Sequence, residues 1–480
     1  MVFQNDILAG SSGASGTSTA VHTIDQSIRF NDDDSAYMSK TFASAGNRKT
    51  WSLSFWWKRG NLASVANKRQ ILFRGGTFSF YSNHNSSTID GINFSYTATA
   101  NDLQTTQVFR DPSAWYHIVV NMDTSNSVAS ERVRLYVNGS RVTSFASSSY
   151  PSLNTEYQFN SNVEHNIGRR SAGEELDGYL AEIVFIDGQA LDPSSFGLYN
   201  DSNIWIPKNV SGLTFGTNGF HIKGEDSSNL GNDSSSNNND FTTSGLSSHD
   251  QVLDSPTNNF SVMNVISNYY SGSTFADGNL DVTRGGTTQA GPINNILMST
   301  GKWYCEVYIV GTANSTYIGI LGTEIVGSGA TPDNLVGRGS KGWSYLNQNG
   351  NIFHNGSESS YGASLAAGDV LGIALDLDNS KLYFSKNGTF QNSGVPTSGS
   401  TGTGAVSITA SSSIDLGGYF FSVGDGGNSG TARTVWNYGQ EGTFAGNVTA
   451  GGNSDGNGVG NFKYSVPSGY LALCTKNLGS

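Results

Sequence analysis

The sequence predicts an all-β protein in which two antiparallel β-sandwich domains are joined by an Asn/Ser-rich connector. Two strand-turn patterns carry this prediction, at residues 132–139 (RVRLYVNG) and 381–388 (KLYFSKNG). Both run into Asn-Gly, a strong hairpin signal because a type I′ turn needs a positive φ at both central positions. The composition agrees, since 60 glycines and only 13% charged residues suit a loop-rich sandwich protein.

Composition and charge exclude several classes of protein. A chain of 480 residues is long enough for about two to four domains. The net charge of -12 opposes binding to nucleic acid or to an anionic membrane surface. Cys305 and Cys474 lie in separate apolar runs, so no disulfide framework is expected. No run of about 18 apolar residues exists, which argues against a membrane-spanning helix.

Residues 1–27 form a small, polar N-terminal segment after a short apolar start. Two interpretations stay open: a disordered tail, or an attachment peptide that orders on a larger assembly. Residues 1–16 show no basic region followed by an apolar stretch, so the sequence predicts no classical secretion signal. We therefore expect the protein to fold in a reducing cytoplasm.

The strand signals begin at about residue 28 and are clearest at residues 51–58 (WSLSFWWK). Positions 51, 53, 55 and 57 are large, apolar and on one face, which predicts a half-buried antiparallel strand. Trp56 lies on the opposite, otherwise polar face. It is either an exposed ring that stacks on a sugar, and so a candidate ligand-binding residue, or a ring packed beneath a loop.

Three further segments follow in order, at residues 115–120 (WYHIVV), 135–139 (LYVNG) and 176–183 (LDGYLAEI). Together they resemble laminin-G-like members of the concanavalin A-like lectin/glucanase superfamily. The resemblance implies a jelly-roll sandwich of two curved antiparallel sheets over residues 28–200, in a superfamily that binds glycans or proteins. No cofactor is required.

The same resemblance implies a calcium site, because many members hold calcium at a sheet rim. Asp32, Asp34 and Asp177 could supply hard oxygen ligands here. The alternative is that residues 32–34 only cap a solvated turn.

Hydrolases of that superfamily carry a strand motif with paired carboxylates, Glu-x-Asp-x-(x)-Glu. The nearest match is Glu175-Leu176-Asp177-Gly178-Tyr179, which lacks the final glutamate, and Glu182 lies too far along the strand to replace it. A retaining glycosidase needs two carboxyl groups about 5 Å apart. We therefore expect no enzymatic activity and keep a glucanase-type hydrolase as the least favoured alternative.

Residues 201–260 are predicted to be the connector, because the run from Asn229 to Asn239 has no apolar periodicity. Trp205 to Pro207 and Phe215 to Ile222 keep aromatic and β-branched residues, so part of the connector is expected to pack on a sheet.

The C-terminal half, residues 261–480, resembles a SPRY domain. The resemblance rests on ordered segments at residues 301–307 (GKWYCEV), 318–320 (IGI), 342–345 (GWSY), 368–378 (GDVLGIALDLD) and 382–388 (LYFSKNG). It implies a bent β-sandwich whose loops bind protein ligands. Two glycine-rich stretches, residues 393–404 and 446–460, are either ligand-contacting loops or plain surface loops.

The order of these parts, with residues 3–10 (FQNDILAG) and 254–260 (DSPTNNF), resembles virion proteins of marine tailed phages, including those of cyanobacteria. The resemblance implies a tail-fibre or adhesin-like virion component that binds a host-surface glycan or protein. The alternative is a head- or tail-decorating protein that contacts neighbouring virion subunits. On either interpretation we expect the protein to be a homo-oligomer that attaches to other virion subunits through its N-terminal segment. We also expect it to fold in the host cytoplasm and to be released by lysis.

Overall fold

The computed structural model describes residues 22–60, 62, 70–82, 90–96, 102–266, 273–285, 291–311, 315–322, 336–425 and 431–479. The chain divides into two compact units, Met1–Asn259 and Phe260–Ser480. With 42% strand and 6% helix, it confirms the predicted all-β class. None of the helices in these described ranges is long and apolar enough to cross a membrane.

The first unit is built from short antiparallel strands and single turns of 3-10 helix. Its strands are β1 Ser27–Phe30, β2 Tyr37–Thr41, β3 Thr50–Arg59, β4 Gln70–Gly75, β5 Phe78–Ser82, β6 Gly91–Ser95, β7 Leu103–Val108, β8 Trp115–Asp123, β9 Val133–Val137, β10 Ser140–Arg141, β11 Phe145–Ser148, β12 Glu164–Ile167, β13 Gly178–Asp187, β14 Gly197–Tyr199, β15 Trp205–Pro207, β16 Phe220–Ile222, β17 Thr242–Ser244 and β18 Gln251–Val252. Its 3-10 turns are Asp32–Asp34, Ala129–Glu131, Pro193–Ser195 and Ser248–Asp250.

Two sheets and a small ribbon hold these strands. Sheet A has the order β10-β9-β8-β3-β13-β1-β18, with β16 also paired to β13, and sheet B has the order β11-β7-β6-β5-β4-β12-β2-β17. Strands β14 and β15 form a separate two-stranded ribbon. The alternating apolar side chains of the two sheets share one core, in which Phe55 of β3 lies 4.7 Å from Phe73 of β4 between ring centroids. This is the predicted sandwich.

Strand β3 departs from the half-buried strand that its alternation predicts. Trp51, Leu53, Phe55 and Trp57 face the core as expected, yet Ser54, Trp56 and Lys58 on the other face are buried as well. Later parts of the chain cover this second face of sheet A. Alternation identified the two faces of the strand but could not show that both are covered.

The predicted connector is not separate, because residues 201–259 belong to the first unit. As expected, its segments at residues 205–207 and 215–222 pack on a sheet. Strands β16, β17 and β18 pair with β13, β2 and β1, so this segment extends both sheets. Its Asn-rich run is held by Asp233, whose carboxylate accepts hydrogen bonds from the backbone N–H groups of His221, Ser235 and Asn239, each at 2.8 Å. Polar contacts of this kind leave no apolar periodicity in the sequence.

The second unit has the strands β19 Ser273–Ala276, β20 Asp281–Gly285, β21 Lys302–Gly311, β22 Thr316–Leu321, β23 Gly342–Leu346, β24 Ile352–His354, β25 Ser357–Ser359, β26 Val370–Asp376, β27 Lys381–Lys386, β28 Thr389–Phe390, β29 Val406–Ser407, β30 Phe420–Asp425, β31 Thr431–Asn437 and β32 Leu471–Ala472. Its 3-10 turns are Asp277–Asn279, Pro396–Thr401 and Ser411–Ser413.

These strands form a second sandwich. Sheet C has the order β19-β20-β31-β21-β26-β27-β28, with β29 on β27 and β32 on β21, and sheet D has the order β25-β24-β23-β22-β30. Their inner faces share a core that includes Leu371, Ile373 and Leu375 of β26. The glycine-rich stretch 446–460 belongs to a C-terminal segment, residues 438–475, whose Phe444 and Phe462 are fully buried against sheet C.

Both predicted Asn-Gly hairpins are present. Asn138 and Gly139 have φ of 47° and 79°, and Asn387 and Gly388 have φ of 50° and 81°, which is the positive pair that a type I′ turn requires. Each glycine lies against an aromatic ring: a β-carbon on Gly139 would lie 2.5 Å from Trp205, and one on Gly388 would lie 2.6 Å from Tyr464. These turns therefore need glycine for packing as well as for φ.

Candidate functional site

A row of aromatic rings lies on the outward face of sheet A. Because side chains alternate along a strand, Trp56 of β3 and its cross-strand partner His117 of β8 point away from the core. The β14–β15 ribbon places Trp205 over them. Gly139 and Gly197 make room for this ring, since a β-carbon on either would lie within 2.5 Å of it.

Solvent exposure of the rings increases from Trp56 in the interior to Tyr199 at the surface. The ring of Trp56 is tilted against that of His117 at 4.7 Å between centroids. His117 stacks on Trp205 at 5.8 Å, and Tyr199 meets Trp205 edge-on at 4.9 Å. Trp56 is 5% exposed, Trp205 is partly exposed, and Tyr199 is 47% exposed. The hydroxyl of Tyr199 donates to the carbonyl of Asn138 at 3.1 Å, which ties the ring to the hairpin turn. Tyr199 and Trp205 thus form an aromatic platform at the surface.

His117 has a defined tautomer, and this tautomer determines whether His117 can act as a general base for Ser54. The indole N–H of Trp205 can only donate, so Nδ1 of His117, 2.9 Å away, must accept. The proton is then on Nε2, which donates to Oγ of Ser54 at 2.9 Å. Burial lowers the pKa of His117 to about 3. This imidazole therefore cannot take the proton of Ser54, and the pair is not a nucleophile and general base.

Beside it, Glu182 lies between two histidines at a bulge of β13. Nε2 of His221 is 2.6 Å from one carboxylate oxygen and Nε2 of His22 is 3.2 Å from the other. Burial alone would raise the pKa of Glu182, but the two histidine contacts lower it to about 2. Glu182 has a φ of 47°, and this bulge turns its side chain to the histidines. Because each histidine uses a different oxygen, the three groups form a hydrogen-bonded chain.

A small cavity of about 10 Å³ lies at the base of this region, bordered by Ser54, His117 and Glu182 on its polar side. That volume is about the size of one water molecule. This cavity is therefore too small for a larger ligand.

The structure corrects the prediction for Trp56. Its ring is covered by His117 and packs with Ile24 and Ala181, so it offers no open face to a sugar. The ring is needed instead to support the exposed pair above it. Sequence alternation identified the correct face of β3 but not the depth of the residue.

The predicted calcium ligands do not form a site. Asp32 and Asp34 lie in a 3-10 turn capped by Asn31, whereas Asp177 is fully buried beside Gly60 and Arg59. In the described ranges, no three His, Cys, Asp or Glu side chains form a group that could hold a metal ion. The capped-turn interpretation accounts for Asp32 and Asp34.

The partial glucanase motif does not lie on a strand either. Glu175 and Asp177 precede β13, and Glu175 is buried with Nε of Arg169 3.3 Å from its carboxylate. A carboxylate paired in this way is a structural ion pair in this fold.

Comparison with known families agrees with this architecture. The model of the concanavalin A-like lectin/glucanases superfamily, in its Laminin_G_3 form, matches residues 31–195, and the SPRY domain model matches residues 302–418. The chain carries one domain of each kind. Domains of both kinds are typically binding modules. No curated protein sequence matches the chain.

Several solved structures resemble parts of the chain. The SPRY domain of human HERC1 is 16% identical, with 36% of this chain and 96% of that one covered and a TM-score of 0.28. Stonustoxin is 13% identical, with 37% and 27% covered and a TM-score of 0.28. The heptameric SAP-like pentraxin from Limulus polyphemus is 14% identical, with 36% and 80% covered and a TM-score of 0.27.

Sequence reasoning missed Tyr199 and Trp205 as site residues. Trp205 was visible only as aromatic content in the predicted connector, and Tyr199 carried no signal. The only available sequence signal was a tryptophan two residues before a proline, after the predicted sandwich. The pairing of Gly139 with Trp205 exists only in the folded chain.

Proposed function

We propose that this protein is a non-catalytic binding protein whose concanavalin A-like domain binds a surface glycan through Tyr199 and Trp205. One observation carries the proposal: an exposed tyrosine and a partly exposed tryptophan stand together on a rigid stack of rings. Aromatic faces are suitable contacts for the apolar face of a sugar ring. Polar groups that could orient a sugar surround the pair, among them Ser140 and the turn at residues 200–203.

The experiment is a glycan-array screen with the full-length protein, followed by titration of each positive glycan. Tyr199→Ala is expected to lower affinity at least tenfold, because it removes the exposed ring and leaves the stack below in place. Leu153→Ala is the matched control, since Leu153 is 51% exposed on the same unit and outside the platform. Equal affinity of the two variants would contradict the glycan site. A protein ligand that binds in a Tyr199-dependent way would replace the glycan.

We also propose the setting that the sequence resemblance implies, a tail-fibre or adhesin-like component of a tailed-phage virion. Two binding-type domains in one chain, present in several copies, would raise a weak single-site affinity through effective concentration. The resemblance at residues 3–10 and 254–260 supports this setting. The structure describes none of residues 3–10. The predicted segment 1–27 is too long, because His22, Ile24 and Ser27 pack within the first unit. The proposed attachment role is therefore limited to residues 1–21 and rests on sequence alone.

Cryo-electron microscopy with quantitative mass spectrometry of purified particles tests the setting. A few copies that project from the tail with the sandwiches outward are expected. Hundreds of copies on the head lattice would favour the decorating alternative, and absence from the particle would exclude both. The glycan experiment is independent, because it uses the isolated protein.

A further inference from the structure

A lysine, an aspartate and an asparagine meet in the interior of the first unit. Nζ of Lys58 lies 2.6 Å from Oδ2 of Asp254 and 2.7 Å from Oδ1 of Asn259. Lys58 and Asp254 are fully buried, and Asn259 is half-buried. The primary amine of Lys58 thus contacts both a carboxylate and a side-chain amide, and the three groups are largely shielded from water.

The fold holds each of the three groups in place. Lys58 extends from the outward face of β3 between its cross-strand neighbours Trp115 and Tyr179, and the Tyr179 ring centroid is 5.5 Å from Nζ. The Trp115 indole N–H donates to the other oxygen of Asp254 at 3.2 Å. Nδ2 of Asn259 donates to the backbone carbonyl of Ser113 at 2.6 Å, which orients the amide.

Three other ion pairs with a buried carboxylate, in the part of the chain that the structure describes, lack this combination. Arg29 and Arg59 pair with Asp250 and Asp90, but a guanidinium stays protonated and is not a nucleophile. Lys302 lies 3.0 Å from Asp376 in the second unit, and the contacts that the structure gives for its Nζ include no side-chain amide. Among these pairs Lys58 alone contacts both a carboxylate and an amide.

We propose that Lys58 and Asn259 are joined by an intramolecular amide bond, with Asp254 as the proton carrier. Asp254 takes a proton from Nζ, and the neutral amine attacks Cγ of Asn259. The new Nζ–Cγ bond forms, the Cγ–Nδ2 bond breaks, and Nδ2 leaves as ammonia with the proton that Asp254 returns. The step consumes no oxidant, reductant or co-reactant.

The physical basis is proximity in a dry site. Nζ of Lys58 lies 2.7 Å from Oδ1 of the Asn259 amide, so the amine is held beside the group whose carbon it would attack. A near-attack conformer needs about 3–3.5 Å between the two reacting atoms. Exclusion of water disfavours hydrolysis of the intermediate and strengthens the action of the carboxylate. The bond would join the central strand β3 to the last residue of the first unit. Tension entering the unit at Asn259 would then pass directly to β3.

Intact-mass spectrometry of the purified full-length protein tests the cross-link. The expected mass is lower than the sequence mass by one ammonia. A tryptic digest should then contain a branched peptide that joins the two segments, with no cleavage after Lys58 and normal cleavage after Lys302. An unmodified mass, or linear peptides with free Lys58 and Asn259, would overturn the proposal, and so would simple deamidation of Asn259.

Three variants locate the reaction. Asn259→Leu removes the electrophile and keeps the Lys58–Asp254 pair, so it should show the full sequence mass. Asn258→Ala changes the neighbouring residue and should keep the ammonia loss. Asn259→Asp should reach the same final mass as the wild type by losing water, since the product is identical. Ammonia loss that persists in Asn259→Leu would overturn the assignment. The wild-type mass decides the question even if a variant fails to fold.

Discussion

The two units cover the outward faces of their central sheets with different chemistry. In the first unit, Arg29 and Lys58 on sheet A are covered by Asp250 and Asp254 from a later segment. In the second, Phe444 and Phe462 pack on sheet C, and Glu306 of β21 is held by backbone N–H groups. Covering a sheet thus needs no fixed residue pattern, provided that each buried polar group finds a partner.

Two buried glutamates show how the partners of a buried polar group affect its pKa. Glu182 and Glu306 lie on central strands with almost no exposure, and burial raises the pKa of each. Glu182 has two histidines beside it, and its pKa ends at about 2. Glu306 accepts from the N–H groups of Lys463 and Tyr464 at 2.8 Å each, and its pKa stays raised at about 7. The contacting groups, and not the depth of burial, therefore decide whether the pKa of each glutamate is lowered or raised.

The largest expected loss of stability comes from removing a buried acidic side chain that covers sheet A of the first unit. Asp254→Ala removes both the carboxylate beside Lys58 and the proposed proton carrier, so Lys58 stays an unreacted ammonium that is buried without its carboxylate. The free energy of unfolding of that unit should fall by about 3–5 kcal/mol. Hydrogen–deuterium exchange of β3 and β13 measures this in the full chain. Protection equal to that of the wild type would show that the pair does not stabilise the unit.

The matched change in the second unit removes an apolar contact. Phe462→Ala deletes a fully buried ring that lies 5.2 Å from Tyr304 between centroids. The expected loss is about 3–4 kcal/mol, confined to the second unit. Exchange should increase on β21 and β32 and remain unchanged on β3. An equal increase in both units would contradict a loss confined to the second unit.

The glutamates predict opposite responses to pH. The pKa of Glu306 is raised in the folded state, so its contribution to stability is complete below about pH 4.5 and is lost as pH rises through about 7. The loss is on the order of 3 kcal/mol. Denaturant unfolding between pH 5 and 8 should show this slope for the second unit, and Glu306→Gln should flatten it. Identical slopes would refute the assignment.

The contribution of Glu182 to stability should depend on pH in the opposite direction. Its folded pKa is lowered, so it stabilises the first unit above about pH 4.5, and this contribution is lost as pH falls towards about 2. His221→Phe removes the closer partner and should shift that loss to higher pH. Acid unfolding followed by exchange on β13 measures the shift.

The smallest change in stability is expected from the loss of an exposed ion pair. Lys341 contacts Asp415, whose side chain is 72% exposed. Asp415→Ala should change stability by less than about 1 kcal/mol, because solvent screens such a pair. A loss as large as that of Asp254→Ala would mean that burial does not explain the comparison.

The sequence predicted what depends on local pattern. The all-β class, the inward face of β3 and both Asn-Gly turns follow from alternation and turn chemistry. It predicted that residues 205–207 and 215–222 pack on a sheet, but not which side chains they cover, because that depends on contacts between distant segments. Trp56 and Lys58 were assigned correctly to the outward face, but their depth is set by residues 205 and 254–259. For the same reason Tyr199 was missed.

The two hairpin glycines carry a consequence for synthesis on the ribosome. In each unit the turn emerges well before the ring that covers it, Trp205 after Gly139 and Tyr464 after Gly388. A nascent chain therefore exposes an unfinished sheet until its last segment has left the exit tunnel. Fragments that stop near residue 200 or residue 440 lack that segment and leave the sheet uncovered. Each sandwich is completed from its own C-terminal end.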